Sequence, residues 1–111
     1  DLDAIDPLPE PFMVRESLLP QNREGLFVGH IRGESMKDII PDGAKLLLRK
    51  CLEPVSGRVY IFALRGETTI KQFRLDHRGP RFEYMDGTGR SIYPNEGEQW
   101  RCLAEFLAVV D

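Results

Sequence analysis

Apolar positions gather in short runs, separated by clusters of Pro, Gly and Asp. Leu26 to Arg32 reads as a strand, and Ala44 to Lys50, with Leu46, Leu47 and Leu48, as another. Val59 to Leu64 is apolar on both faces, which predicts a central strand covered on each side. Thr68 to Leu75 follows after Arg65-Gly66-Glu67, a tight connection of the hairpin kind. Arg81 to Met85 and the brief Ser91-Ile92-Tyr93 complete the middle of the chain. Pro41-Asp42-Gly43, Glu53 to Arg58, Asp76 to Pro80 and Asp86 to Gly89 carry turn chemistry. Ser35 to Ile40 has room for little more than one helical turn.

The segment from Glu98 to Val110 carries two patterns at once. Trp100, Cys102, Ala104, Phe106, Ala108 and Val110 alternate as in a strand, whereas Leu103, Phe106, Leu107 and Val110 would line a helix face. The company of many short strands favours a strand. The expected fold is mostly β, a compact and strongly bent β-sheet domain.

Residues 1–24 differ from the rest. Pro7, Pro9, Pro11 and Pro20 fall among scattered acids, and prolines so spaced defeat a long helix. The segment reads as a linker or extended arm in which Phe12-Met13-Val14 could pair as a short edge strand. Residues 25–111 read as the folded domain. The absence of an initial Met suggests a fragment or a processed product.

The 111 residues suit one domain with one modest core. No run approaches the roughly 18 apolar residues that span a bilayer, and the acidic, proline-rich start is unlike a secretory signal. A cytoplasmic protein, not a membrane protein, is expected. The formal net charge of −3 and the lack of a basic stripe argue against this domain gripping nucleic acid by itself. Cys51 and Cys102 do not make a disulfide framework and read as two buried thiols in a reducing compartment.

Candidate chemistry centres on Ser35, at the end of an apolar run and before a turn or short helix. A hydroxyl there is well presented, and it becomes a useful nucleophile only when a base takes its proton. Lys71 can be that base. With a period of two it shares a strand face with Thr69, Phe73 and Leu75. If that face meets the core, burial disfavours the ammonium and lowers its pKa. A neutral amine could accept the serine proton and later give it to the leaving amine. The bland alternatives are a lysine snorkelling to solvent and a serine capping a helix.

Other constellations are weaker. His30 and His77 have no metal-ligand spacing and join no His/Cys cluster, so neither a metal nor a cofactor is expected. Asp38 and Asp42 fit turn or helix-end roles, and Glu34 and Glu53 do not make a glycosidase pair. No phosphate-binding or dinucleotide fingerprint is present. Tyr60 and Phe62 lack the basic aromatic consensus of an RNA-binding sheet.

Four blocks stand in order: Ile31-Arg32-Gly33-Glu34-Ser35-Met36, Ile40-Pro41-Asp42-Gly43-Ala44, Gly57-Arg58-Val59-Tyr60-Ile61-Phe62-Ala63 and Gly66-Glu67-Thr68-Thr69-Ile70-Lys71. Together they resemble the C-terminal domain of the LexA-like self-cleaving family of S24 serine peptidases. Ser35 and Lys71 lie 36 positions apart (71 − 35), close to the family's separation. The signal peptidases share the chemistry and part of the fold. The resemblance implies the bent β-sheet of the LexA/signal-peptidase type, Ser35 as nucleophile and Lys71 as neutral general base. It implies backbone N–H groups of Glu34 and Ser35 as the oxyanion hole, with Gly33 and Met36 shaping the turn. It further implies a homodimer whose substrate is its own upstream linker, cut between Ala or Cys and Gly. An absent N-terminal domain would bind operator DNA, and a recombinase filament or other inducer would trigger cleavage.

Some of the text departs from the family pattern. No Ala-Gly or Cys-Gly occurs in the chain, and the family's Asp-Gly-Asp turn reads Asp42-Gly43-Ala44. The passage after the lysine, Met85 to Tyr93, lacks the family's Pro-x-Asn-x-x-Tyr. These departures point to a phage or prophage repressor or a stress regulator. The competing readings are a catalytically silent dimerisation or effector-sensing domain of the same shape and, less favoured, a small peptidase acting on other proteins.

Overall fold

The structure is a computed structural model that describes residues 5–8, 13–31, 39–41, 43–51 and 53–110. Its strands are β1 (Ile5–Pro7), β2 (Leu26–Ile31), β3 (Lys45–Lys50), β4 (Val59–Leu64), β5 (Glu67–Asp76), β6 (Gly79–Glu83), β7 (Ser91–Ile92) and β8 (Trp100–Val110). The described residues contain no α-helix, only a 3-10 turn at Glu16–Leu18. All strand pairs are antiparallel, in one eight-stranded sheet of order β1-β2-β3-β8-β4-β5-β6-β7.

The expected strongly bent sheet is not what forms. Curling a sheet closed brings its edge strands together, yet β1 pairs only with β2 and β7 only with β6 among the described residues. These edges are three and two residues long, and no ladder joins one to the other among the described residues.

The last strand in sequence lies in the middle of the sheet. β8 pairs with β3 through its C-terminal half and with β4 through its N-terminal half. It carries an extra residue in each ladder. Leu47 faces Ala108 but Leu48 faces Phe106, which leaves Leu107 over; Ile61 faces Ala104 but Phe62 faces Cys102, which leaves Leu103 over. A bulge resets the alternation of side chains. The two extra residues therefore explain why this segment reads partly as strand and partly as helix.

Directly opposed residues share a sheet face, so the register assigns the core. One face buries Leu46, Leu48, Ile61, Ile70 and Ala104 together with Ile40. The other face holds two clusters: Val28, Leu47 and Val110 near β2 and β3, and Tyr60, Phe62, Leu64, Phe73 and Phe82 under β4 to β6. Phe62 is central to the latter, with ring centroids 4.7 Å from Phe82, 5.9 Å from Trp100 and 6.1 Å from Phe73. β4 is thus covered on both faces, as its unbroken apolar text predicts.

Two backbone details seat the edges. Gly29 faces β1 so closely that a Cβ there would stand 3.0 Å from the Asp6 carbonyl oxygen. The β4–β5 hairpin turns on Arg65 and Gly66, with φ of 53° and 77°, the two positive values that a type I′ turn requires. The segment read as an arm supplies β1 and the 3-10 turn; Met13 and Val14 form no strand, and Phe12 lies outside the described residues.

Candidate active site

β5 carries Lys71 on the face that Thr69 and Phe73 also occupy, opposite Tyr60 of β4. The sequence alternation places it there, and the structure gives the consequence: Lys71 is only 7% exposed. Its amine donates to Thr69 Oγ1 at 2.5 Å and to the Ile70 carbonyl at 3.2 Å. The Nζ atom also stands over the Tyr84 ring, 4.6 Å from the centroid. Burial pushes the amine pKa below the ordinary lysine value, against the negative charges of Glu67 and Asp86, which pull it back up.

Lys71 is one of the residues lining a cleft of about 200 Å³. Leu64 and Ile92 give it apolar wall, Arg65 and Glu67 a charged margin, and Tyr84 an aromatic side. A space of this size, part apolar and part polar, suits one short side chain or a stretch of backbone better than a large cofactor. Among the described residues, no group of three or more His, Cys, Asp or Glu side chains is placed to hold a metal ion.

Ser35, Glu34, Gly33 and Met36 lie outside the described residues, as do Asp38 and Asp42. The described chain ends at Ile31 on one side of that segment and resumes at Ile39 on the other. Ile40 belongs to the cluster that contains Ile70, and Ile31 packs at its margin. Both flanks of the serine segment therefore pack in the cluster that includes the neighbour of Lys71, on the face opposite the amine. His30 plays a structural part, its Nδ1 donating to the Ala44 carbonyl at 3.0 Å. His77 sits in the turn between β5 and β6.

Over residues 2–104 the chain matches the family described as Peptidase S24-like. The chain belongs to the Peptidase S24-like family. A search of curated proteins finds no match. Family membership supports the general resemblance read from the four sequence blocks, without selecting a phage-repressor or stress-regulator branch.

Two features of this S24-like domain escaped the sequence reading. Thr69 shared a face with Lys71 by simple alternation, but nothing in the text marked its hydroxyl as the amine's acceptor. Tyr84 lies thirteen positions after Lys71 (84 − 71), just past the end of another strand, and no periodicity links the two. A third feature corrects an expectation. Cys51 and Cys102 are not two free thiols: they form a disulfide, with Cα atoms 6.4 Å apart. The cause is the β8 register, which sets Cys102 against Phe62 beside the end of β3, where Cys51 follows Lys50. No helix among the described residues is long and apolar enough to cross a membrane.

Proposed function

We propose that residues 25–111 are the serine–lysine autopeptidase and dimerisation domain of a transcriptional repressor, preceded by a linker or arm in residues 1–24. The observation that carries this reading is the buried Lys71 amine, biased toward its neutral form, at a cleft in a chain of the Peptidase S24-like family. In this mechanism Lys71 takes the Ser35 hydroxyl proton as the oxygen attacks the carbonyl of an Ala-Gly or Cys-Gly bond in an upstream linker. Backbone N–H groups of Glu34 and Ser35 receive the developing oxyanion, while Gly33 and Met36 shape their turn. The Lys71 ammonium then protonates the departing glycine amine, and water releases the acyl group from Ser35 with Lys71 again as base. Presenting the linker from the same polypeptide replaces substrate affinity with effective concentration.

The repressor context adds a homodimer, operator DNA held by a separate N-terminal domain, and a recombinase filament or other inducer that favours the cleavable state. A catalytically silent dimerisation or effector-sensing domain is the second reading. One observation favours it: the amine is already engaged by Thr69, Ile70 and Tyr84, a resting arrangement that needs no serine.

Self-cleavage of the full-length parent separates the two. Followed by gel at rising pH, the parent should be cut faster as Lys71 loses its proton. Ser35→Ala and Lys71→Ala should each slow the reaction by about 10²-fold or more. Full cleavage by Ser35→Ala overturns the peptidase reading, and a parent stable at every pH selects the silent one.

A further inference from the structure

Tyr84 follows β6 and opens a turn that closes on itself through Arg90. The Tyr84 N–H donates to the Arg90 carbonyl at 2.9 Å. Arg90 in turn lays its guanidinium over the Tyr84 ring, 4.4 Å from the centroid. The same guanidinium is fixed at both ends, donating to Asp86 Oδ2 at 2.8 Å and to Thr88 Oγ1 at 3.2 Å. Asp86 Oδ1 accepts from the Thr88 backbone N–H at 3.0 Å and from its hydroxyl at 2.6 Å. The turn is a hydrogen-bonded ring that presses one aromatic side chain toward the Lys71 amine.

A lysine has a flexible four-carbon stem and extends it to water wherever a path is open. On the strand side, Thr69 and the Ile70 carbonyl hold the Lys71 amine. The Tyr84 ring covers it from another side, its centroid 4.6 Å from Nζ, and lines the same cleft. We propose that Tyr84 is a positioning residue that walls the Lys71 amine off from water, and that the Asp86–Thr88–Arg90 turn holds this wall in place. The inference rests on Lys71 being the general base, and it assigns that base a support supplied by another part of the chain.

The ring acts in two opposed ways. It keeps water from the amine, which favours the neutral form, and its face attracts an ammonium, which favours the charged one. Charged and titratable groups around the amine are Glu67 on its own strand, Tyr60 across the β4–β5 ladder, Arg65 at the cleft margin, and Asp86 and Arg90 on the turn. Desolvation leads the influences on Lys71; in this proposal the ring supplies part of it, so loss of the wall moves the titration upward.

The decisive experiment follows the Lys71 side chain by NMR of isotope-labelled lysine against pH, in this chain and in Tyr84→Phe, Tyr84→Ala and Arg90→Ala. Tyr84→Phe keeps the ring and should leave the midpoint unchanged. Tyr84→Ala should raise it enough to cut the neutral fraction at a fixed lower pH by roughly tenfold, about one pH unit. Arg90→Ala should shift it in the same direction by less. An unshifted Tyr84→Ala overturns the proposal, as does a Tyr84→Phe shift of equal size. Should Tyr84→Ala fail to fold, Arg90→Ala decides, and an unshifted midpoint there is again fatal. Because titration needs no cleavage, the wall and the peptidase reading fail separately: the latter is tested by self-cleavage of the parent, which the Lys71 titration does not measure.

Discussion

Lys71 and Thr69 sit two residues apart on one face of β5, and the amine of the first donates to the hydroxyl of the second at 2.5 Å. Strand geometry brings the two within reach once both side chains turn inward, because residues i and i+2 point the same way. An acceptor at this spot stabilises the ammonium more than the neutral amine. Thr69→Val, which keeps the shape and removes the acceptor, should therefore lower the Lys71 titration midpoint further. Thr69→Ser should restore it. The measurement is the same lysine NMR titration. The lost hydrogen bond should also lower stability by about 1 kcal/mol, read from urea unfolding.

Burying an amine sets a pH dependence on folding itself. The Lys71 midpoint is lowered in the folded protein, chiefly by burial. Below that folded midpoint both states hold the proton, and the penalty for burying the charge is present in full. Between the folded midpoint and the ordinary lysine value the unfolded chain holds a proton that the folded one has released. Stability from this group therefore rises with pH across that window, and above it no penalty remains. Lys71→Met, of similar length and uncharged, should unfold at a higher temperature than the parent chain near neutral pH. Its advantage should shrink toward about pH 10. Differential scanning calorimetry over this range checks the sign. An advantage that grows with pH would contradict the burial account.

Arg65 has a backbone conformation that a side chain rarely adopts, φ 53°, and its guanidinium grips both Glu98 carboxylate oxygens, at 2.8 and 3.2 Å. Glu98 also accepts the Asn95 N–H at 2.8 Å, so the hairpin tip and the loop before β8 are joined at one carboxylate. Arg65→Asn gives the Asn-Gly pair that a type I′ turn prefers, and it releases the loop. The hairpin should then persist while the loop loosens. Hydrogen exchange should quicken at Asn95 and stay slow at Ile70 and Lys71 in the β4–β5 ladder. Faster exchange throughout β5 would mean that the grip, not the turn, holds the hairpin.

The sequence made most strands legible for the reason that Val59 to Leu64 shows best: an apolar run without alternation has to be covered on both sides, and β4 is. The burial of Lys71 was legible as well, since alternation alone set it with Phe73 and Leu75; Phe73 is buried, whereas Leu75, farther along the strand, is 60% exposed. What escaped was set by long-range register. The extra residues Leu103 and Leu107 reset alternation along β8, and no local pattern announces a bulge. The sheet's openness was equally hidden, because strand spacing along the chain does not say whether the edges meet. Tyr84 reaches Lys71 only after the turn at Asp76 to Gly79 brings β6 alongside β5. β1 escaped for a different reason: Pro7 suits an edge strand, yet in the text it reads as a break.

The bridge between Cys51 and Cys102 ties the end of β3 to the central strand, across a sequence separation of 51 residues. Closing so long a loop restricts the unfolded chain, and the chain-entropy account gives about 4 kcal/mol of stabilisation. The enclosed stretch includes β4, β5, β6 and β7, so the bridge fastens the half of the sheet that carries Lys71. Protein purified without reductant and unfolded in denaturant should show no thiol reactive toward a colorimetric reagent, and two after reduction. Reduced protein, and Cys51→Ser with Cys102→Ser, should unfold at clearly lower denaturant concentration than the oxidised form. The double variant serves as the control for reagent effects, since added reductant should not destabilise it further. Two reactive thiols in freshly purified, unreduced protein would return both cysteines to the role of half-buried apolar side chains. The β3–β8 ladder would then hold without a covalent tie.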